Sequence, residues 1–220
     1  MRRPPPPLYP IIVRLEGLAC LVVGGGRVAA RKVASLLVCG AEVTVIAPQV
    51  CEEIESLPVT VVRRSYQHGD VAGFRLVITA TGRGEVDREV FEDSEAAGLM
   101  VNAADNIEAC RFFLPSLLRR GPVTVAVSTA GTSPYLATWL RRRIAQVVGA
   151  EFAAVAALLG EARGALKAAG RTTESADWES LLNDEFAAIV AEGRLEEARE
   201  RVETWVVRAL ASPSRSDNCD

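Results

Sequence analysis

The 220-residue sequence is poor in the residues that build several familiar kinds of site. It has one histidine, His68, and five cysteines, Cys20, Cys39, Cys51, Cys110 and Cys219, an odd and scattered set with no Cys-x-x-Cys pair. Neither a zinc site nor a disulfide framework is therefore expected, and the metal-ligand expectation is none. Aromatic residues make up only 5%, so the core must come from Val, Leu, Ile and Ala. No apolar run reaches the roughly 18 to 20 residues of a bilayer span. Met1-Arg2-Arg3 is followed by four prolines rather than by the apolar stretch of a signal peptide. The expectation is a cytoplasmic chain without a membrane partner. Cationic excess is missing too: 25 Lys and Arg face 28 Asp and Glu, net −3, which disfavours nucleic acid held by bulk charge. A local arginine cluster for a small anion stays open.

What is present is an alternation of strand and helix patterns. Leu18 to Val23 is a continuous apolar run, as expected of a strand buried on both faces of a parallel sheet. Val28 to Cys39 carries apolar residues at helical spacing and ends at Gly40. Ala41 to Ala47, Val59 to Arg63, Leu76 to Ala80 and Leu99 to Asn102 read as further strands, with a helix over Val86 to Ala97. This order predicts an α/β fold, a Rossmann-like doubly wound parallel sheet, over residues 1–112. The pattern then changes. Val123 to Ser128 reads as a strand and Pro134 to Val148 as a helix with Ser133 as N-cap. Leu136, Leu140, Ile144 and Val148 form its expected buried face. Residues 113–149 are read as a small α+β dimerisation and active-site segment, and 150–220 as a C-terminal helical domain broken near Gly170 to Ser175 and Gly193.

Gly24-Gly25-Gly26-Arg27-Val28-Ala29 fits G-x-G-x-x-A between the first strand and the first helix. Such a turn brings backbone close to a pyrophosphate, which the helix N-terminus then receives. The acid that usually ends the second strand and binds the adenosine ribose is absent: the chain reads Ile46-Ala47-Pro48-Gln49. Gln49 offers a neutral hydrogen bond, and no arginine stands there for a 2′-phosphate. NAD is favoured over NADP.

The glycine turn with Arg31-Lys32, the run Gly40 to Pro48, Ala80-Thr81, Val101-Asn102-Ala103-Ala104-Asp105 with Cys110 beyond it, Arg120-Gly121-Pro122-Val123 and Ser128-Thr129-Ala130-Gly131-Thr132-Ser133-Pro134 follow one another in a recognisable order. The sequence resembles, over roughly residues 8–148, the precorrin-2 dehydrogenase family, which includes the dehydrogenase–ferrochelatase module of siroheme synthase. The resemblance implies NAD-dependent oxidation of precorrin-2 to sirohydrochlorin in siroheme biosynthesis, ferrous iron insertion in some members, and a homodimer. It matches Asp105 to the catalytic aspartate, and Gly24, Gly25, Gly26, Arg27, Val28, Pro48, Gln49, Ala80 and Thr81 to cofactor contacts. Ala130 departs from the family, which often has glycine there.

The residues themselves leave alternatives open. A carboxylate just past the fifth strand stands at the ligand edge of such a sheet and suits a proton acceptor; an aspartate there could equally cap a turn. The substrate that the resemblance implies is a polycarboxylate, so Arg111, Arg119, Arg120 and Arg141 to Arg143 are candidate contacts. Three consecutive helical residues, turned about 100° apart, cannot all face one ligand. Asn102 and the loop with Ser128, Thr129, Thr132 and Ser133, which opens a helix N-terminus, complete the substrate expectations. His68 reads as a surface turn residue and Cys110 as a small buried hydrophobe. A NAD(H)-sensing or tetrapyrrole-carrying protein without turnover is the alternative function.

Overall fold

The computed structural model describes residues 7–104, 106–174 and 176–211. The chain divides into two compact units, Met1–Leu114 and Pro115–Asp220. The first holds five strands, β1 (Ala19–Val23), β2 (Glu42–Ile46), β3 (Thr60–Val62), β4 (Leu76–Thr79) and β5 (Met100–Ala103). All neighbours are parallel, in the order β3-β2-β1-β4-β5. Helices α1 (Arg27–Leu37), the short α2 (Glu52–Glu55) and α3 (Gly84–Ala96) alternate with them.

Two-sided burial explains the unbroken apolar run at the start. Cys20 and Val22 of β1 pack with α1 residues Ala29, Val33 and Leu36 on one face. Leu21 and Val23 pack with Val90 of α3 on the other. Successive strand residues point to opposite faces, so a strand covered on both sides has no polar position to spare. The doubly wound sheet expected from the sequence is the fold found.

The second unit opens with an antiparallel hairpin, β6 (Ser116–Arg120) and β7 (Val123–Val127). Gly121 and Pro122 turn it, with Gly121 at φ 55°, the positive φ that tight hairpin turns require of their first central residue. Strand β6 was not expected: Ser-Leu-Leu-Arg-Arg has no alternation, and only its partner strand makes it extended. Helix α4 (Pro134–Ile144) starts as expected, Ser133 Oγ accepting from Leu136 N at 3.2 Å, and stops short of Val148.

Its predicted buried stripe needs correction. Ala137 is the buried residue of α4, while Leu136 stays 45% exposed. The helix rests on a two-stranded hairpin, too narrow to cover a full face. It is fastened there partly by a polar contact, Arg141 Nε to Ser116 Oγ at 3.1 Å.

Helices α5 (Phe152–Ala168), α6 (Trp178–Leu181), α7 (Asp184–Ala191) and α8 (Leu195–Ala211) belong to this same unit. Their core is Leu158, Leu166, Leu181, Phe186, Ile189 and Val202, with Trp178 and Trp205 rings 4.4 Å apart. Among the described residues no helix is long and apolar enough to cross a membrane.

Candidate nucleotide-binding crevice

In the order β3-β2-β1-β4-β5, successive connections leave β1 in opposite directions, so the carboxyl ends of β1 and β4 flank the switch point where open α/β sheets bind ligands. The glycine turn lies there, and its three glycines serve different ends. Gly24 has φ 126°, and a Cβ on it would lie 2.4 Å from the Ala80 carbonyl oxygen. A Cβ on Gly25 would lie 1.8 Å from the Gln49 carbonyl oxygen. The Pro48–Gln49 corner and the Ala80–Thr81 corner are thus both packed onto the turn. The first is tied to it by Cys51 N donating to Gly25 O at 2.8 Å. Gly26 is the open one, with nothing within 4 Å of where its Cβ would be.

Gly26 also caps α1 without any side-chain hydrogen bond, and the first turn of α1 carries no acid. A helix start lacking both offers its N–H groups and dipole to an outside anion. The start of α3 is different. Asp87, in its first turn, accepts from Thr79 Oγ1, from Thr81 Oγ1 at 2.7 Å and from Thr81 N at 3.3 Å. That carboxylate holds the Ala80–Thr81 corner in place and offsets the dipole of α3. Sequence reasoning overlooked Asp87; the signal available was an acid in the first helical turn after Thr-x-Thr. At the α1 start, by contrast, Arg27 is almost fully exposed and its Nε lies 3.7 Å from Glu53 of α2. Val28, the next residue, is also exposed. The backbone cradle, the open Gly26 and the uncapped helix fit a dinucleotide.

Beyond β5 the chain folds straight back. Asn102 pairs with Cys110 across an antiparallel bridge, and Arg111 N donates to Val101 O at 2.8 Å. Asn102 is buried, its amide donating to Phe112 O at 2.9 Å and Cys110 Sγ at 3.3 Å. Cys110 Sγ also accepts from Ala103 N at 3.3 Å. Asn102 is therefore part of the frame, and Cys110 is a hydrogen-bonded residue rather than a plain hydrophobe. Ala104 N donates to Thr79 O at 2.9 Å, tying the end of β5 to β4. Asp105 lies outside the described residues. Asn106 accepts from Glu108 N and caps the 3-10 turn Ile107–Ala109.

In the second unit the loop before α4 is bonded to itself. Ser128 Oγ accepts from Ala130 N, and Thr129 Oγ1 accepts from Ser133 N at 3.1 Å and donates to Ser133 O at 3.0 Å. Thr132 N donates to Thr129 O. Ala130 sits at φ 51°, the only non-glycine at positive φ among the described residues. Arg120 Nε donates to Val148 O at 3.3 Å, whereas Arg111, in the first unit, forms a forked pair with Glu95. Arg143 lies over the Trp139 ring.

Comparison with known proteins meets this geometry. Residues 11–116 match an NAD(P)-binding family model, and residues 120–146 match a model for the central part of sirohaem biosynthesis proteins. The chain is similar to sirohaem biosynthesis proteins along most of its length. The siroheme synthase of Thioalkalivibrio sulfidiphilus is 39% identical over 201 residues, covering 89% of this chain and 41% of the relative. That of Nitrosococcus oceani is 36% identical over 200 residues, covering 88% and 43%. The chain spans about two fifths of the length of these relatives. Among solved structures, SirC, a precorrin-2 dehydrogenase, superposes with a TM-score of 0.68 at 22% identity, covering 93% of this chain and all of that one. This likeness speaks for the fold. The NAD(P)-binding match spans nearly all of the first unit, which carries the turn, the two corners and the open helix start described above.

His68 is exposed as expected, but it is not idle. Its Nδ1 lies 2.5 Å from a carboxylate oxygen of the buried Asp93, which also accepts from Tyr66 OH at 2.5 Å and Gly69 N at 2.9 Å. Burial pushes the Asp93 carboxyl up, and its donors, Tyr66 foremost with Gly69 and His68, outweigh that and hold it below the ordinary carboxylate value. The Tyr66 hydroxyl is driven far above its usual range by burial and by this carboxylate. No group of three or more His, Cys, Asp or Glu side chains able to hold a metal occurs among the described residues.

Proposed function

We propose that this chain is a cytoplasmic, homodimeric dehydrogenase that oxidises precorrin-2 to sirohydrochlorin with NAD. One observation carries the reading: an uncapped helix start and an open Gly26 at the switch point, in a chain whose curated relatives are siroheme synthases. Bound there, NAD supplies the hydride acceptor. Gly24, Gly25 and Gly26 with the first turn of α1 would receive its phosphates, and the Pro48–Gln49 and Ala80–Thr81 corners would flank it.

Oxidation of a saturated ring carbon releases a hydride and a proton, so a base is needed beside the hydride path. Asp105 is assigned that role. In the sequence it follows Ala104, whose N–H is tied to Thr79 O at the carboxyl edge of the sheet, the edge at which ligands of such folds bind. The substrate carboxylates are assigned to Arg120 and to the loop from Ser128 to Ser133, with the Thr132 hydroxyl available beside its self-bonded turn. Asn102 and Arg111 are assigned to the frame, since their polar atoms are engaged by Phe112, Cys110 and Glu95. Support for the dimer is the apolar surface on α4, where Tyr135 is 78% and Trp139 47% exposed. Patches of that kind mark association surfaces.

The test is an anaerobic assay of purified protein with precorrin-2 and NAD, reading NADH and sirohydrochlorin together. The expected result is stoichiometric formation of both, lost in Asp105→Ala while NADH still binds. A folded protein that binds precorrin-2 but never yields NADH would mean a carrier instead. Ferrous iron added to the finished reaction then asks whether siroheme follows.

A further inference from the structure

The second strand ends without the acid that ordinarily recognises the adenosine ribose, yet the structure brings another acid to the same corner. We propose that Glu53, carried on α2 and held beside Arg27, discriminates NAD from NADP in this chain. The inference rests on the nucleotide-binding part of the proposed function.

Three contacts place Glu53. The Gln49 carbonyl is pressed against Gly25, Cys51 N donates to Gly25 O at 2.8 Å, and Glu53 follows two residues later in the first turn of α2. Its carboxylate lies 3.7 Å from Arg27 Nε, and Arg27 is the first residue of α1 after the open Gly26. The pair therefore bridges the glycine turn and the β2–α2 corner, the two elements between which an adenosine ribose sits in this fold. Both side chains are largely exposed, so the pair adds little to stability. Glu53 is nonetheless held ionised. Its own backbone N–H and the Cys51 thiol bond the carboxylate and lower its pKa, with Arg27 adding to them.

An ionised carboxylate there accepts hydrogen bonds from ribose hydroxyls. A 2′-phosphate, carrying roughly −1.5 to −2 charges near neutral pH, meets like charge instead. Arg27 is the counterweight. While Glu53 holds it, its charge is partly offset; without Glu53 the guanidinium becomes a phosphate ligand. Discrimination thus comes from a repulsive element as well as from an attractive one.

The full chain is titrated separately with NADH and NADPH, following nucleotide fluorescence, so that no turnover is required. Wild type should bind NADH about tenfold or more the tighter, a gap of the size one charged contact sets. Glu53→Gln should close most of that gap, chiefly by tighter NADPH binding, and adding Arg27→Ala should weaken NADPH again. Glu55→Gln, which removes the acid paired with Arg63 at 2.7 Å, should leave the ratio alone. An unchanged ratio in Glu53→Gln, an equal change in Glu55→Gln, or a wild type preferring NADPH would overturn the assignment of Glu53 and leave the crevice standing. A wild type that binds neither nucleotide would overturn the crevice, and this inference with it.

Discussion

The two units solve the same problem, burying apolar surface, with unequal means. In the first, a five-stranded sheet is covered on both faces, and Leu21, Val22, Val77 and Val101 are fully buried. In the second, the β6–β7 hairpin has one buried residue, Leu118, and the helix resting on it leaves Tyr135, Leu136 and Trp139 in solvent. Two strands do not make a self-sufficient layer. The first unit is closed by its own residues, whereas the hairpin and α4 leave apolar side chains in solvent, the surface that the proposed dimer would cover. Rigidity belongs where a cofactor must be held to a fraction of an ångström.

The largest expected effect lies on the closed side. Gly25→Ala must push the Gln49 backbone away from the turn, and is expected to cost more than about 4 kcal/mol of stability, read by urea unfolding, with loss of NADH binding. Next comes a matched pair. Leu21→Ala should cost about 3 kcal/mol and Leu117→Ala, on the hairpin and 37% exposed, less than about 1 kcal/mol in the monomer. Equal costs would erase the contrast between the units. If Leu117→Ala instead shifts a monomer–dimer equilibrium in sedimentation, the contrast is sharpened.

Asp93→Asn should cost about 2 kcal/mol, the scale of hydrogen bonds to a charged group, and should flatten the acid limb of stability. The folded carboxyl sits below its ordinary value. Its contribution is therefore complete above the unfolded pKa near 3.9 and is lost as pH falls through the folded value. Wild type and variant should converge at the acid end, and a constant gap down to the lowest pH would remove the ionised Asp93 from the account. The smallest effect is Ala130→Gly, which relieves a left-handed alanine and should gain up to about 1 kcal/mol in the second unit. No gain would mean that the loop absorbs the strain at no cost.

Much of the first unit was legible because each local signal agreed with the next. The run from Leu18 to Val23 read as a strand covered twice, and the glycine triplet after it as a tight turn into a helix. The site was legible in part. Gly24, Gly25 and Gly26 were expected at the turn, with Gln49 and Ala80 beside it, and the structure packs them together; the contacts of Asp87 with Thr81 and of Glu53 with Arg27 were not foreseen, because each reaches across a turn to residues distant in the chain. Asn102 was read as a substrate contact, and only the return of residues 110 to 112 along β5 shows its amide engaged. The apolar repeat from Leu136 to Val148 promised a buried face, since periodicity records which side is apolar and not what covers it.

By itself, the sequence determined the alternation of elements, the parallel sheet and the tight glycine turn, since these follow from the spacing of apolar and small residues along a few turns of chain. Tertiary structure alone decided which carboxylates come to lie beside the glycine turn and its corners and which apolar face stays open. Those depend on residues far apart in sequence arriving at the same place, and no local pattern encodes that arrival.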